Sequence, residues 1–131
     1  MADPVGGAPE PRAVRQLMRG LAAPAQGMSV QQRFLEVISQ NLANVETTRT
    51  PEGGPYRRQV VVDGQVVSDP RPGRSVYDPG HPDADTDGFV HYPNVDVNNE
   101  MVDLLVTRRV FEANASVFQA AKAMLRRALD I

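Results

Sequence analysis

The last third of the chain, residues 94–131, most limits what this sequence can fold into. It contains no Pro and no Gly and is rich in Ala, Leu, Met and Arg, a composition that favours one long helix. About 30 helical residues would be roughly 45 Å long. Residues spaced alternately by three and four form the heptad seam of a paired helix: Met101, Leu104, Arg108, Phe111, Ala115, Phe118, Lys122, Leu125 and Leu129. A stripe this long needs a partner helix of similar length.

A second heptad seam lies in the first third of the chain. Its apolar members are Val14, Leu17, Leu21, Met28, Leu35, Ile38, Leu42 and Val45. Gly20, Pro24 and Gly27 lie within its first half, and a proline inside a helix removes one backbone hydrogen bond. The pattern therefore predicts helix from about 28 to 44, a weaker helical piece over 12–23, and a kink or break near 20–27. Asn44 is a predicted helix stop, because Asn tolerates the left-handed conformation.

The stretch from Pro51 to Pro93 has a different character, since it holds most of the prolines and glycines of the chain. Residues 56–62 and 65–67 flank Asp63-Gly64, and valine-rich runs on both sides of Asp-Gly predict a β-hairpin with a tight turn. Residues 68–88 are predicted to be turns. One further short strand is predicted over 89–92.

These patterns predict a mainly α fold with a β insert, in which the N- and C-terminal long helices pair as a coiled coil or helical hairpin. The predicted segments are a disordered tail at 1–11, a helical segment at 12–48, a β-hairpin and turn-rich insert at 49–93, and a long helix at 94–131. Helix pairing leaves Val102, Leu105, Val110 and Val117 outside the seam, so we expect packing between subunits. The residues predicted to form the assembly interface are Leu35, Ile38, Leu42, Met101, Leu104, Phe111, Phe118, Leu125 and Leu129.

Composition argues against several classes of protein. The formal charge of −2 disfavours a nucleic-acid-binding protein, which normally has a basic excess. The absence of Cys excludes a disulfide, a thiolate metal site and a cysteine nucleophile. No apolar run reaches the roughly 18 residues of a membrane span, and the N-terminus lacks the apolar core of a cleaved signal peptide. We find no motif for an active site and expect neither enzyme activity nor a cofactor.

Two acidic or basic clusters leave alternatives open. Asp83, Asp85, Asp87 and Gly88 match the opening of a calcium-binding loop, but Asn94 stands where the closing Glu should be. We interpret the cluster as a solvated acidic turn, with a small calcium-binding module as the alternative. His81 and His91 lie near these aspartates, yet their spacing is a poor zinc signal, and no metal site is expected. Arg57 and Arg58 could contact an anionic partner or form the solvated face of the hairpin.

Four blocks of the sequence carry a family resemblance. The first runs from Ile38 to Asn44, with Ser39, Asn41 and Ala43 inside it, and is followed by Thr47-Thr48. The second is Gly53-Gly54-Pro55-Tyr56-Arg57-Arg58. The third is Val76-Tyr77-Asp78-Pro79-Gly80-His81-Pro82-Asp83-Ala84. The fourth comprises residues 93–97, 100–104 and 111–114, the last with Glu112 and Asn114. Together they resemble the FlgC family of bacterial flagellar basal-body rod proteins.

The resemblance implies a structural subunit of the proximal rod that self-assembles through its terminal helices into the drive shaft of the motor. It also implies export by the flagellar type III apparatus without a cleaved signal peptide, and a place in the periplasmic rod. The implied partners are further copies of the chain, FlgB, FlgF, FlgG and the adapter FliE. The runner-up is a FlgB-like or FlgG-like rod subunit, and the block from Tyr77 to Ala84 favours FlgC. In this setting the acidic turn becomes a candidate surface for subunit register.

Overall fold

The computed structural model describes residues 12–130, so the predicted disordered tail at 1–11 lies outside the described residues, as does Ile131. The chain forms two long helices with four short strands between them. These elements are α1 (Arg12–Ala43), β1 (Gln59–Val62), β2 (Gln65–Ser68), β3 (Ser75–Tyr77), β4 (Phe89–His91) and α2 (Val97–Leu129). The prediction of a mainly α fold with a β insert is confirmed.

Helix α1 runs without interruption through the stretch where the sequence predicts a kink or break. It includes Gly20, Pro24 and Gly27, and all are assigned to the helix. Its buried positions include Val14 and Ile38, which belong to the predicted seam, and Pro24. Pro24 is accommodated at a buried position of a continuous helix, although a proline inside a helix lacks one backbone hydrogen bond. A kink at Pro24 stays a prediction.

Asn44 comes directly after the last residue of α1, as predicted, but it ends the helix in a different way from the predicted one. Asp63 is the one non-glycine residue of the described chain with a positive φ, so the left-handed conformation predicted for Asn44 is wrong. Instead its side-chain Nδ2 donates to the carbonyl of Gln40 at 2.8 Å. Thr47 Oγ1 donates to Asn44 Oδ1 at 3.1 Å. The Asn side chain therefore satisfies the helix end and fixes the turn that follows it.

The predicted hairpin is present as β1 and β2. The strands are antiparallel, and Val60 lies opposite Val67 while Val61 lies opposite Val66. Asp63 and Gly64 have φ values of 51° and 77°, the left-handed pair that a tight hairpin turn requires. The Asp-Gly prediction is confirmed.

Strands β3 and β4 form a second antiparallel ladder, of which the sequence predicts only β4. Val76 lies opposite Val90, and Val90 is fully buried. Tyr77 packs edge-on against Phe89 with ring centroids 5.4 Å apart. Strand β3 has only three residues within a Pro- and Gly-rich stretch, so its local pattern is too short to predict, and pairing with β4 decides it.

The described chain divides into two compact units, one containing the first part of α1 up to Ser29 with the last part of α2 from Phe111, the other Val30–Val110. In the first unit, a Cβ on Gly27 would lie 2.8 Å from Nδ2 of Asn114, so the absence of a side chain permits the close approach. In the second, Asn41 donates to Glu100 at 3.4 Å. The predicted pairing of α1 with α2 is confirmed. Neither helix of the described chain is long and apolar enough to cross a membrane.

Candidate assembly surface

Asn41 organises the centre of the second unit. Its side chain is 1% exposed, and its Oδ1 accepts from the Tyr56 hydroxyl and the Gln59 backbone N–H, each at 2.8 Å. Its Nδ2 donates to the Gln59 carbonyl at 2.8 Å and to Glu100 Oε2 at 3.4 Å. One amide thus joins α1 to the start of β1 and to the first turn of α2, with both of its polar atoms used twice.

Glu100 is a buried carboxylate whose charge is matched by an arginine. Its side chain is 1% exposed, and Arg58 Nε donates to its Oε1. Arg58 also donates to Asp69 at 3.2 Å, and its guanidinium lies 3.8 Å from Asp103. Burial raises the pKa of the Tyr56 hydroxyl, and the nearby Glu100 charge adds to this shift. The network holds α2 at a fixed position on the hairpin.

Asp69 and Asn94 extend this network to the chain that precedes α2. Arg71 donates to the Asp69 carboxylate through its backbone N–H at 3.0 Å and its guanidinium at 2.6 Å. These bonds, led by the side chain of Arg71, hold the pKa of Asp69 far below its ordinary value. Asn94 Oδ1 accepts from the Arg58 backbone at 2.7 Å, and its Nδ2 donates to the Arg71 carbonyl at 2.8 Å. Strand, loop and helix start are thereby fixed together.

The network directs an apolar stripe of α2 outward. In the second unit Val102, Leu105 and Val106 are 57%, 63% and 57% exposed. At 100° per residue they lie on the side of the helix opposite Glu100 and Thr107, which are buried. We name the three residues, with Val110, the outer stripe. A helix with apolar residues on both sides is normally covered on both sides, so the outer stripe is the candidate assembly surface.

The part of α2 in the first unit repeats this division. Phe118 and Leu125 are partly covered, whereas Val117 and Met124, on another side of the helix, are exposed. Leu129, at the end of α2, is exposed although it lies on the seam side. The exposed apolar residues include Val102, Leu105, Val110 and Val117, the four that the sequence places outside the seam.

Most of the residues predicted to form the assembly interface are at least partly shielded from solvent within a single chain. Ile38 is buried, and Met101 and Leu129 are exposed. The remaining six are partly covered: Leu35, Leu42, Leu104, Phe111, Phe118 and Leu125. These seven residues are therefore at least partly covered within one chain, and their role as an interface between chains stays a prediction.

The acidic turn, residues 78–87, uses two of its carboxylates inside the chain. Asp83 accepts from Thr48 at 2.6 Å and pairs with Arg49 at 2.5 Å; the Thr48 bond is the main cause of its lowered pKa. Asp85 accepts from the Phe89 N–H at 2.9 Å. This bond is the largest cause of the lowered pKa of Asp85, and the contact with His91 lowers it further. These contacts tie the turn to the loop that follows α1 and to β4.

His91 also links Asp85 to a serine. Its Nε2 lies 2.9 Å from Asp85 Oδ2, and its Nδ1 lies 2.9 Å from Ser75 Oγ. In a nucleophilic triad the histidine Nε2 faces the serine and Nδ1 faces the aspartate, whereas here the two nitrogens have exchanged partners and the side chain is about half exposed to solvent. The other histidine, His81, accepts from the Asp83 N–H at 3.0 Å. Both histidines thus make local contacts that shape the turn.

The residues of the family blocks divide into structural ones, which are buried or partly covered, and exposed ones. Asn41 is the centre of the network, Asn44 completes the end of α1, and Asn114 lies against Gly27. His81 is partly covered. The exposed members are Ser39, Ala43, Tyr77, Asp78, Pro79, Gly80, Pro82 and Glu112.

Sequence reasoning misses the ionic part of the network. Arg58 is only 20% exposed and pairs with Glu100 and Asp69, so its interpretation as a solvated hairpin face is wrong; Arg57 is exposed. One feature of the sequence does indicate a buried ion pair. Glu100 lies four residues before Leu104, on the covered side of α2, and a carboxylate at an apolar position requires a partner.

Known proteins match this sequence. Residues 86–131 match the family described as flagellar basal body rod FlgEFG protein, C-terminal. A flagellar basal-body rod protein FlgC from Borreliella burgdorferi is 35% identical over 147 aligned positions, covering 88% of this chain and 97% of that protein. The chain belongs to the FlgC family of flagellar basal-body rod proteins.

Other FlgC proteins show similar agreement. The FlgC of Bacillus subtilis is 34% identical over 85% of this chain and 95% of its own length. That of Salmonella typhimurium is 35% identical over 79% of this chain and 89% of its own length. The family resemblance carried by the sequence blocks is confirmed: this FlgC-family chain is a structural protein of the flagellar basal-body rod and acts in motility.

Proposed function

We propose that this chain self-assembles through its helices into the proximal rod, the shaft that transmits motor torque across the periplasm. The observation that carries the proposal is the outer stripe of α2, whose Val102, Leu105 and Val106 are each more than half exposed. Burying them against neighbouring subunits would release about 25 cal/mol per Å² of apolar surface. The chain therefore has a physical reason to polymerise.

Torque transmission requires that each subunit resist twisting. The buried network of Asn41, Arg58 and Glu100 supplies this stiffness in the second unit, because it joins both helices and the hairpin through hydrogen bonds and an ion pair. A satisfied polar network in a covered site has one geometry and deforms reluctantly. The role is structural, with no enzymatic step.

The proposed partners follow from the family. They are further copies of this chain, the rod proteins FlgB, FlgF and FlgG, and the adapter FliE. We further propose that the flagellar type III apparatus exports the chain without removal of a signal peptide. The predicted seam, from Leu35 to Leu129, then contributes to assembly by pairing the helices that display the outer stripe.

Deletion of the gene in its host, followed by scoring of swimming and imaging of isolated basal bodies, tests the proposal. We expect non-motile cells whose basal bodies lack a complete rod, and restoration by the wild-type chain. Leu105→Glu should not restore the rod, because it places a charge on the outer stripe. Gln40→Glu adds the same charge at an exposed polar position of α1 and should restore it. Complete rods in the deletion strain would refute the proposal.

A further inference from the structure

We propose that successive copies of this chain make a head-to-tail contact in which the acidic turn of one copy binds a basic cleft of the next. The basic cleft has a volume of about 380 Å³ and is lined by Arg57, Arg71, Arg74, His91 and Tyr92, among others. The inference rests on the proposed function and deepens it, because it names the segment of the second copy that the cleft receives.

The cleft has positive charge that residues 12–130 leave unmatched. No carboxylate is among its lining residues in the described chain. Arg71 is neutralised by Asp69, but Arg57 and Arg74 form no ion pair within residues 12–130. The guanidinium of Arg74 lies 4.3 Å from the centre of the Tyr92 ring, and such stacking holds the cation in place.

The acidic turn has negative charge that is complementary to the basic cleft. Asp83 and Asp85 are engaged by Arg49 and His91. Asp78 and Asp87 are exposed and form no ion pair within the described residues. These two carboxylates are therefore free to pair with arginines of another copy.

Backbone hydrogen bonds hold the acidic turn in one shape. The Asp78 N–H donates to the Gly88 carbonyl at 2.8 Å, and the Gly88 N–H donates to the Asp85 carbonyl at 3.0 Å. Gly88 has a φ of 88°, and a Cβ there would lie 2.8 Å from the Tyr77 ring. A preformed turn loses little entropy on binding.

The two charged groups lie at opposite ends of the β3–β4 ladder. Ser75 pairs with His91 at the end that lines the cleft, and Tyr77 pairs with Phe89 at the end that leads into the turn. Asp85 of the turn reaches His91 at the edge of the cleft in the same copy. Asp78 and Asp87, however, form no ion pair with Arg57 or Arg74 within the described chain, so these four charges can pair between copies. A contact between unlike surfaces that does not close on itself generates a helical filament.

The small free energy expected of exposed ion pairs indicates what this contact contributes to assembly. Exposed ion pairs add little affinity, and complementary charge mainly sets orientation and register. The apolar outer stripe therefore supplies the attraction between copies, and the turn in the cleft fixes how they are aligned.

Cysteine cross-linking tests the contact in assembled rods, because the chain has no Cys of its own. Two variants are made, Ser75→Cys at the cleft and Thr86→Cys in the acidic turn, and both positions are exposed. They are expressed together in the deletion strain, and mild oxidant is added to swimming cells. We expect a cross-linked dimer from the mixed copies and none from either variant alone. Swimming cells with no mixed dimer, or with equal dimer from one variant alone, would overturn the proposal.

Charge exchange provides the second measurement. Arg57→Asp with Arg74→Asp should abolish swimming, and adding Asp78→Arg with Asp87→Arg in the same chain should restore it. Normal swimming of the first variant, or no rescue in the second, would overturn the contact and leave the rod function standing. A rod that assembles without this gene would refute the proposed function itself, which separates the two failures.

Discussion

Arg58 and Glu100 form an ion pair between the start of the β-hairpin and the first turn of α2, with the Glu100 side chain 1% exposed. The pair is the charged part of a network whose neutral centre is Asn41. Buried ion pairs give little net stability against an apolar replacement of both partners, but removal of one partner is costly. The pair therefore fixes where the hairpin sits on the helix.

Removing Arg58 should show how far the stability of the fold depends on the Arg58–Glu100 ion pair. Arg58→Met keeps most of the side-chain length but leaves Glu100 buried without a cation, so we expect the free energy of unfolding to fall by about 3 kcal/mol. The measurement is urea unfolding followed by circular dichroism. Arg57→Met is the matched control, because Arg57 is the exposed neighbour, and it should change stability by less than about 0.5 kcal/mol. Equal effects of the two variants would contradict the network.

Asn41 should matter through its hydrogen bonds. Asn41→Ala leaves the Gln59 N–H and carbonyl without their partner, and an unsatisfied buried group costs about 1–3 kcal/mol. Ser39→Ala, two residues away and exposed, is the control and should be nearly neutral. Thermal unfolding of both variants measures the difference, and a neutral Asn41→Ala would be the contrary result.

The acid stability of the chain should depend on Asp69. Its folded pKa lies below the ordinary value of 3.8, so the unfolded state binds more protons and stability falls as the pH decreases through this range. The contribution is complete above about pH 5 and is lost as the pH falls toward the folded pKa. Unfolding measured between pH 5 and pH 2 should show a smaller decline in Asp69→Asn. Asp63→Asn, at the hairpin tip, is the control and should keep the wild-type decline.

Two glycines should respond oppositely to alanine. A Cβ on Gly73 would lie 2.0 Å from the Tyr92 carbonyl oxygen, whereas one on Gly20 would meet nothing within 4 Å. Gly73→Ala forces backbone movement and should destabilise by about 1–3 kcal/mol. Gly20→Ala, inside α1, should stabilise by about 0.5–1 kcal/mol. Thermal unfolding of the two variants measures these changes in stability. Destabilisation by Gly20→Ala would contradict the finding that a side chain at this position meets no other atoms.

The seam and the outer stripe should separate in a paired experiment. Phe118→Asp is expected to abolish incorporation into the rod, but its side chain is partly covered in one chain, so its monomer should also lose helix content. Leu105→Glu should abolish incorporation with an unchanged monomer, because Leu105 is 63% exposed. Circular dichroism of the monomers and imaging of basal bodies report the two effects. A strongly destabilised Leu105→Glu monomer would contradict the assignment of the outer stripe.

The local elements follow from the sequence because their causes are local. The helix of residues 97–129 follows from a stretch without Pro or Gly, and the hairpin follows from Asp63-Gly64 between valines. The apolar residues left outside the seam, such as Leu105, are also predictable from spacing alone. The continuity of α1 through Pro24 is harder to predict, because a proline inside a helix is a local breaking signal, whereas the burial of that position is decided by the folded chain.

Sequence alone therefore determined the family, the two helices, the hairpin and the surplus of apolar surface on α2. Only the tertiary structure decided that β3 pairs with β4, that Arg58 meets Glu100 across 42 residues, and that unmatched charges lie at both ends of one ladder. Periodicity and turn chemistry act between neighbours in the chain, whereas ion pairs and short ladders depend on which distant residues are brought together. Their energies exist only once the chain has folded.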